Sequence, residues 1–245
     1  LALTMAKAMW PLVAMEVPST GESTDYPWLG AFPSMREWIG ERAVKDLSAF
    51  SYTIRNKNFE STVSVDRNKV EDDQVGVYKP VFQGLAHAAG ISPDQLVWAL
   101  LKAGFTNTCY DGQYFFDTDH PVGEQSVSNS GGGSGTPWYL LDLSRPLKPL
   151  VLQMRRRPEF VSLDNPSDEN VFRKRNFLYG VDDRKNVGYG LWQLAYGSKQ
   201  DLDATNYAAA RTAMASLLNE EGQPMGIVPT HLVVPQSLEA AARAV

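Results

Sequence analysis

Alternating apolar and polar positions predict a long β-hairpin over residues 43–70. The alternating apolar positions are Phe50, Tyr52 and Ile54 on the first strand, then Phe59, Val63 and Val65 on the second. The segment Asn56-Lys57-Asn58 between them is typical of a short turn that tolerates positive φ. Because a lone two-stranded hairpin is only marginally stable in water, we expect a wider antiparallel sheet or a neighbouring subunit to cover it.

Helical spacing of apolar residues predicts two helical pieces between residues 72 and 104. Pro80 is expected to kink the first piece. The segment Ser92-Pro93-Asp94-Gln95 has the pattern of a capping box with proline at the first helical position, so a second helix should begin there. Gly104 is the expected end of this second helix.

The remaining chain is predicted to be rich in strands and then helical. Residues 137–199 contain several β-prone runs separated by Pro, Asn, Asp and Gly. A helix with Asp203 as its N-cap follows, and Gly222 should end it. Residues 231–235 form a short apolar run that predicts a buried strand, and Ser237 is expected to cap a final helix.

Residues 1–40 are predicted to form an arm without long regular elements. Prolines at positions 11, 18, 27 and 33 interrupt any helix or strand. Large aromatic side chains lie among these prolines, and an extended segment cannot bury them on itself. We expect them to pack either on the core of their own subunit or on a neighbouring subunit. The candidate contact residues of the arm are Trp10, Tyr26, Trp28 and Phe32.

Composition narrows the class of protein. The 245 residues are 43% hydrophobic and 21% charged, which is typical of a globular chain with a sizeable core. No apolar window is long enough to predict a membrane span, and no signal peptide is visible. The single cysteine, Cys109, excludes an internal disulfide and suits a reducing cytoplasm. Because the chain starts at Leu1 and stops inside an apparent helix, we expect a longer parent chain.

The net charge of −5 argues against a protein that grips nucleic acid through its phosphates. Two basic runs, residues 155–157 and 173–175, are more typical of solvated faces or ion pairs than of DNA contacts in so acidic a chain. We therefore expect contact with DNA to be weak and independent of sequence.

The segment from Cys109 to Leu141 is the best candidate for chemistry. It contains Asp117, Asp119 and His120, and a metal site or hydrolase would need further ligands from Cys109 or from the distant residues His87 and His231. The glycine-rich run 131–135 lacks the lysine of a phosphate-binding loop. We expect Asp117, Asp119 and His120 to shape a turn and to bind no catalytic metal. A metal-dependent or cysteine hydrolase using Asp117, Asp119, His120 or Cys109 is the alternative.

Several longer sequence words resemble one family. They are PWLGAFPSMREWIGER, YTIRNKNFE, VEDDQVGVYKPVFQ, ALLKAGF, CYDGQYFFDTDHPVG, GGGSGTPWYLLD, FLYGVDDRKNVGYGLWQLAYGSK and LVVPQSLEAAAR. From about residue 18 onward these words resemble the major head subunit of Mu-like phages and prophages, the T-type major capsid protein. Dense and ordered matches of this kind are far more specific than a short motif.

The resemblance implies an α+β fold of the Hong Kong 97 type and no enzymatic activity or cofactor. The implied parts are an N-terminal arm (1–40), an extended hairpin loop (43–70), a peripheral domain with a spine helix (72–199, including a loop-rich insertion over 105–136) and the start of an axial domain (200–245). Related capsids can crosslink a hairpin lysine to a neighbour, but Lys57 shows no specific signature of that reaction.

The resemblance also implies partners. Copies of the chain would form hexamers and pentamers of an icosahedral head that encloses double-stranded DNA, assembled in the bacterial host cytoplasm. Scaffolding or protease, portal and decoration proteins would be the other head components. The hairpin residues expected to contact a neighbouring subunit are Phe50, Tyr52, Ile54, Phe59, Val63 and Val65.

Overall fold

The computed structural model describes residues 8–29, 52–73 and 76–245. Its strands are β1 (Ala14–Pro18), β2 (Ser23–Asp25), β3 (Thr53–Arg55), β4 (Lys57–Asp66), β5 (His120–Val122), β6 (Gln125–Val127), β7 (Ser130–Gly133), β8 (Trp138–Leu141), β9 (Leu150–Leu163), β10 (Asn176–Tyr189), β11 (Ala195–Lys199) and β12 (His231–Val233). Its α-helices are α1 (Arg67–Glu71), α2 (Lys79–Ala103), α3 (Glu169–Lys174), α4 (Ala204–Ala215) and α5 (Glu239–Ala244).

Two sheets have four strands each. The one with the longer strands, called the larger sheet, has the strand order β1-β9-β10-β4. Strands β9 and β10 are 14 residues long and antiparallel, β4 extends the sheet beside β10, and β1 lies parallel to β9. The expectation that prolines separate the β-prone runs of residues 137–199 fails at Pro158, which lies inside β9. A register shift between Asp182 and Arg184 faces this proline, and such a bulge tolerates a residue without an N–H.

The two halves of β9 differ in burial. Leu150, Val151, Leu152 and Gln153 are fully buried, whereas the strand is largely exposed from Arg155 onward. The end of the larger sheet that contains the second half of β9 and its partner residues in β10 therefore projects beyond the core. A second sheet, β12-β8-β11-β7, carries the fully buried Trp138 and other core residues.

The predicted hairpin over residues 43–70 is wrong in its strand pairing. Strand β3 pairs with β2, and β4 pairs with β10, so β3 and β4 run to different partners. Asn56 is not in a free turn: it is buried and its Nδ2 donates to Ser19 Oγ at 2.9 Å. Alternation of apolar residues correctly indicated strands, but it carries no information on which strand pairs with which. Phe50 lies outside the described residues.

Helix α2 corrects the prediction of two helical pieces. It runs unbroken for 25 residues, with Pro80 in its first turn and Pro93 inside it. A proline in the first turn removes only an N–H that would have had no helical partner, so Pro80 starts the helix rather than kinking it. The buried face continues from Leu85 to Leu101, and this packing maintains the helix through Pro93. Asp94 does not belong to a cap of α2, because it accepts hydrogen bonds from the backbone N–H groups of Met9 and Trp10.

The C-terminal part follows the prediction in some places. Asp203 caps α4 by accepting from the Asn206 N–H at 2.8 Å, which confirms that prediction. The helix ends at Ala215 rather than near Gly222, whose φ of 74° places it in a tight turn. Leu238, not Ser237, occupies the N-cap of α5, and β12 is only partly buried. One of the β-prone runs expected between residues 137 and 199, residues 172–181, begins in α3 and only then enters β10.

The segment after residue 200 shares its core with the preceding one. Strand β12 pairs with β8, and Met214 and Ile227 belong to the same buried cluster as Trp138. No helix in the described ranges combines the length and the apolarity needed to cross a membrane.

One buried ion pair has no counterpart in the predictions. Lys185 and Asp183 lie two residues apart on β10, 0% and 4% exposed, and the Lys185 Nζ donates to an Asp183 carboxylate oxygen. Phe59 of β4 lies beneath the ammonium, with its ring centroid 5.0 Å from Nζ. The pair is thus enclosed by protein rather than by water.

Candidate functional site

A buried polar cluster surrounds His120, the first residue of β5. The ring is 0% exposed and stacks on Trp192, with centroids 4.0 Å apart and planes 11° from parallel. Its Nδ1 lies 2.7 Å from Asp111 Oδ2, and its Nε2 lies 3.1 Å from Asn129 Oδ1. Each ring nitrogen therefore faces an oxygen.

Asn129 determines the proton on Nε2. Its Nδ2 donates to the carbonyl oxygens of Phe115 at 2.8 Å and Ala195 at 3.2 Å, so its Oδ1 must be the atom that faces the ring. This Oδ1 also accepts from the Asp117 N–H at 2.9 Å. Because Oδ1 can only accept, the Nε2 of His120 must donate.

The Asp111 carboxylate completes an ion pair with the ring. Burial opposes its ionisation, but hydrogen bonds from His120 and from Cys109 outweigh that effect and lower the pKa of Asp111. An ionised Asp111 accepts from Nδ1, so both ring nitrogens act as hydrogen-bond donors.

Cys109 is the third member of the cluster and is not a nucleophile. Its thiol donates to Asp111 Oδ1 at 3.0 Å. Burial first, and then the charge of Asp111, raises the pKa of the Cys109 thiol. A neutral, buried thiol cannot serve as the attacking group of a cysteine hydrolase, since the thiolate is the reactive form.

The structure brings together only part of the predicted metal set. Sγ of Cys109, a carboxylate oxygen of Asp111 and a ring nitrogen of His120 lie within 4.8 Å of one another, so within the described part of the chain these three residues could hold a metal ion. The three groups are already hydrogen-bonded to one another, because the Cys109 thiol and the His120 ring both bond the Asp111 carboxylate. His87 and His231 are exposed and lie outside this cluster.

Asp117 and His120, both expected to shape the turn, have different hydrogen-bond partners. Asp117 accepts from the backbone N–H groups of Tyr114 and Thr118, as the turn prediction requires. His120 does not bond backbone amides and instead pairs with Asp111. Sequence reasoning missed Asp111 and Asn129, although Asp111 stands only two residues from Cys109 in a glycine-containing turn.

The glycine-rich run serves close packing rather than phosphate binding. Strand β7 lies against β11, and a Cβ on Gly131 would stand 2.6 Å from Ser198 Oγ. At Gly133, where φ is 89°, a Cβ would stand 2.5 Å from the Lys199 backbone. Side chains are therefore excluded at both positions.

Some predicted intersubunit residues are buried by their own subunit. Tyr26, Ile54 and Val65 are 1%, 3% and 7% exposed, and the Tyr26 hydroxyl donates to Gln153 Oε1 at 2.8 Å. Ile54 and Val65 pack against β10 of their own chain, so the expectation that a neighbour buries these two side chains is wrong. For Tyr26, which bonds Gln153 of β9, burial by its own subunit is one of the two expected alternatives. The partly buried candidates are Trp10, Trp28, Tyr52, Phe59 and Val63, while Phe32 lies outside the described residues.

Three arginines of the two basic runs form ion pairs, which agrees with one of the two expected roles of these runs. Arg156 pairs with Asp182, Arg157 with Glu16, and Arg173 with Glu169. These guanidinium groups are thus neutralised by carboxylates of the same chain.

Comparisons with known proteins agree with the sequence resemblance. The family model described as "Mu-like prophage major head subunit gpT" matches residues 1–245. The chain is 43% identical to the major capsid protein of Escherichia phage Mu over 97% of this chain and 81% of that protein. It is 44% identical to the Mu-like prophage FluMu major head subunit of Haemophilus influenzae, over 98% and 82% of the two chains.

A solved structure gives the same result for the fold. The chain superposes on a chain of the procapsid of bacteriophage JBD30 with a TM-score of 0.87 and 48% identity, covering 97% of this chain and 83% of that one. The α+β fold of the Hong Kong 97-type capsid protein is thereby confirmed, and the hydrolase alternative has no support. Because the family model matches residues 1–245, this chain belongs to the Mu-like prophage major head subunits, which are structural capsid proteins and not enzymes.

Proposed function

We propose that copies of this major capsid protein form hexamers and pentamers, and that these tile an icosahedral head around double-stranded DNA. The observation that carries the proposal is the similarity of the whole described fold to a subunit of the JBD30 procapsid. Rings of one chain need head-to-tail contacts between different surface patches, which repeat until the ring closes. The partly exposed side chains of Trp10, Phe59 and Val63 are suited to such contacts.

The division into arm, extended loop, peripheral domain and axial domain is part of the same proposal. Its boundaries at residues 40, 70 and 199 rest on the family resemblance. Pairing of β12 with β8 places the segment after residue 200 against the strands that precede it, so the two proposed domains would share one sheet.

The packaged DNA should be contacted weakly and without sequence selectivity. A net charge of −5 opposes adsorption of a polyanion, and Arg156, Arg157 and Arg173 are already paired with carboxylates. Scaffolding or protease, portal and decoration proteins are the other proposed partners, with assembly in the host cytoplasm.

The test is expression of the protein together with the scaffolding protein of its head, followed by sedimentation and electron microscopy. Closed shells with six-fold and five-fold capsomers are the expected result. A strictly monomeric protein at high concentration, without shells in the presence of the scaffold, would overturn the proposal. A gel-shift assay at physiological salt should in turn detect no tight, sequence-selective complex with DNA.

A further inference from the structure

A cleft of about 180 Å³ lies between helix α2 and the strands β4 and β10 of the larger sheet. Its floor is one face of these two strands. Phe59 stands directly opposite Asp183, and Ser61 stands directly opposite Val181, so the four side chains share a face. All four residues line the cleft. The carboxylate of Asp183 is therefore on the side of its strand that the cleft occupies.

Small side chains of α2 form the opposite wall. Ala88, Ala89 and Ser92 line the cleft from this helix, and their spacing of three and four residues places them on one face. The hydroxyls of Ser61 and Ser92 are polar groups between otherwise apolar surfaces. Apolar walls with a few polar groups are typical of sites that bind small molecules.

One carboxylate oxygen at this cleft lacks the partner that its burial demands. Asp183 is 4% exposed, and one of its oxygens accepts from Lys185. The other oxygen, Oδ1, has no hydrogen-bond partner within the described part of the chain. Tyr139 and Arg184 also have a buried polar atom without a partner, but neither residue lines the cleft. Because an unpaired buried acceptor is costly, a ligand that donates to Oδ1 gains affinity from this atom.

The local charges decide which kind of donor fits. The Lys185 ammonium already compensates the Asp183 carboxylate. Glu60 and Asp182 also border the cleft, but this cross-strand pair belongs to the other face of the strands, where Asp182 bonds Arg156. A second cation would be desolvated beside Lys185, and an anion would be repelled by Asp183. A neutral hydroxyl or N–H group satisfies Oδ1 without adding a charge.

We propose that this cleft is a binding site for a small neutral molecule that has an apolar body and one hydroxyl or N–H donor. The donor bonds Asp183 Oδ1, and the body packs between Phe59 and Val181 on the sheet and Ala88 on the helix. Such a ligand contacts both α2 and the larger sheet, so it stabilises the folded subunit when it binds. The site lies within a single subunit, and the inference therefore goes beyond the proposed function and does not depend on it.

The first test compares ligands on the unassembled wild-type subunit. Benzyl alcohol has an aromatic body and one hydroxyl, and its titration should shift the backbone amide NMR signals of Ala88, Ser92 and Val181 in a saturable way. Benzyl methyl ether keeps the body but has no donor, so it should bind at least about 10-fold more weakly. Equal affinities of the two would overturn the role of Asp183 Oδ1. Tighter binding of the benzylammonium cation would overturn the neutral ligand class, and the absence of saturable shifts would overturn the site.

The second test fills the cleft from the helix side. Ala88 is exposed, so Ala88→Leu should fold normally, while its larger side chain should abolish the binding of benzyl alcohol. Ala99→Leu is the matched control, because it makes the same change at another exposed position of α2 outside the lining and should keep the wild-type affinity. Undiminished binding to a folded Ala88→Leu subunit would overturn the location. Thermal unfolding shows whether each variant is folded, and the ligand comparison on wild type decides the proposal without any variant.

Discussion

His120 stacks on Trp192 at 4.0 Å between ring centroids, and neither side chain is accessible to water beyond 1%. The stacking holds the imidazole ring where Asp111 and Asn129 accept hydrogen bonds from its two nitrogens. The residues that most resemble catalytic machinery are thus bonded to each other in the interior of a capsid subunit.

Removing the ring should destabilise the subunit strongly. In His120→Phe the stacking volume is kept, but the buried carboxylate of Asp111 loses its imidazole partner and keeps only the bonds from Cys109 and Gln113, and the expected loss in unfolding free energy is about 3–5 kcal/mol. Chemical denaturation of the unassembled subunit measures this loss. His87→Phe, at an exposed position of α2, is the control and should stay within about 0.5 kcal/mol of wild type. If His120→Phe has the same unfolding free energy as wild type, His120 and Asp111 do not form a stabilising pair.

The Asp111 ion pair should also give a signature at acidic pH. Because the pKa of Asp111 is lowered in the folded state, its stabilising contribution is present above the unfolded pKa of about 3.9 and is lost as the pH falls through the folded value. The difference in unfolding free energy between wild type and Asp111→Asn should therefore be larger at pH 5 than at pH 3. A difference that grows on acidification would contradict this assignment.

Cys109 should be a poorly reactive thiol. Its pKa is raised by burial and by the charge of Asp111, so the neutral thiol persists in the folded state to pH values above the usual range of about 8.5. A chromogenic disulfide reagent at pH 8 should react at least about 100-fold more slowly with the folded subunit than with the urea-unfolded chain. The stabilising contribution of the protonated Cys109 thiol is complete below the pKa of the unfolded chain and is lost as the pH rises through the higher pKa of the folded state. Rapid reaction of the native protein would reopen the nucleophile interpretation.

Ile54 should act on the stability of the subunit rather than on assembly. At 3% exposure it belongs to the core, so Ile54→Ala should cost about 2–5 kcal/mol in unfolding free energy. Thr53→Ala, at the exposed neighbouring position, is the matched control and should cost much less. If Ile54→Ala leaves the unassembled subunit as stable as wild type but blocks shell formation, the residue is an intersubunit contact after all.

The buried pair on β10 should behave as a unit. Lys185→Met leaves the Asp183 carboxylate buried without its cation and should cost about 3–5 kcal/mol. Adding Asp183→Leu should recover most of this loss, because two apolar side chains then replace two charges. Lys57→Met, at an exposed position, serves as the control. Strict additivity of the two single losses would show that the charges do not interact.

Local signals determined much of the secondary structure. The side chain of Asp203 can bond the first turn of α4 without help from distant residues, so its cap was predictable from the sequence. The alternation of Phe59, Ser61, Val63 and Val65 likewise identified β4 as a strand. The long family-specific words identified the class of protein, because their order along the chain is too specific to arise from composition.

Contacts between distant residues were decided only by the tertiary structure. Nothing local distinguishes β10 from β3 as the partner of β4, because alternation specifies a face and not a neighbour. Pro93 appeared to break α2 until the continuous burial from Leu85 to Leu101 was known.

The buried cluster shows the same division. Sequence reasoning singled out Cys109 and His120 by residue type, yet Asn129 and Trp192 reach the ring only after the chain has folded. Chemistry-bearing residues are recognisable one at a time in a sequence. Whether they act on a substrate or neutralise each other depends on burial and on hydrogen-bond partners, and these are properties of the packed chain.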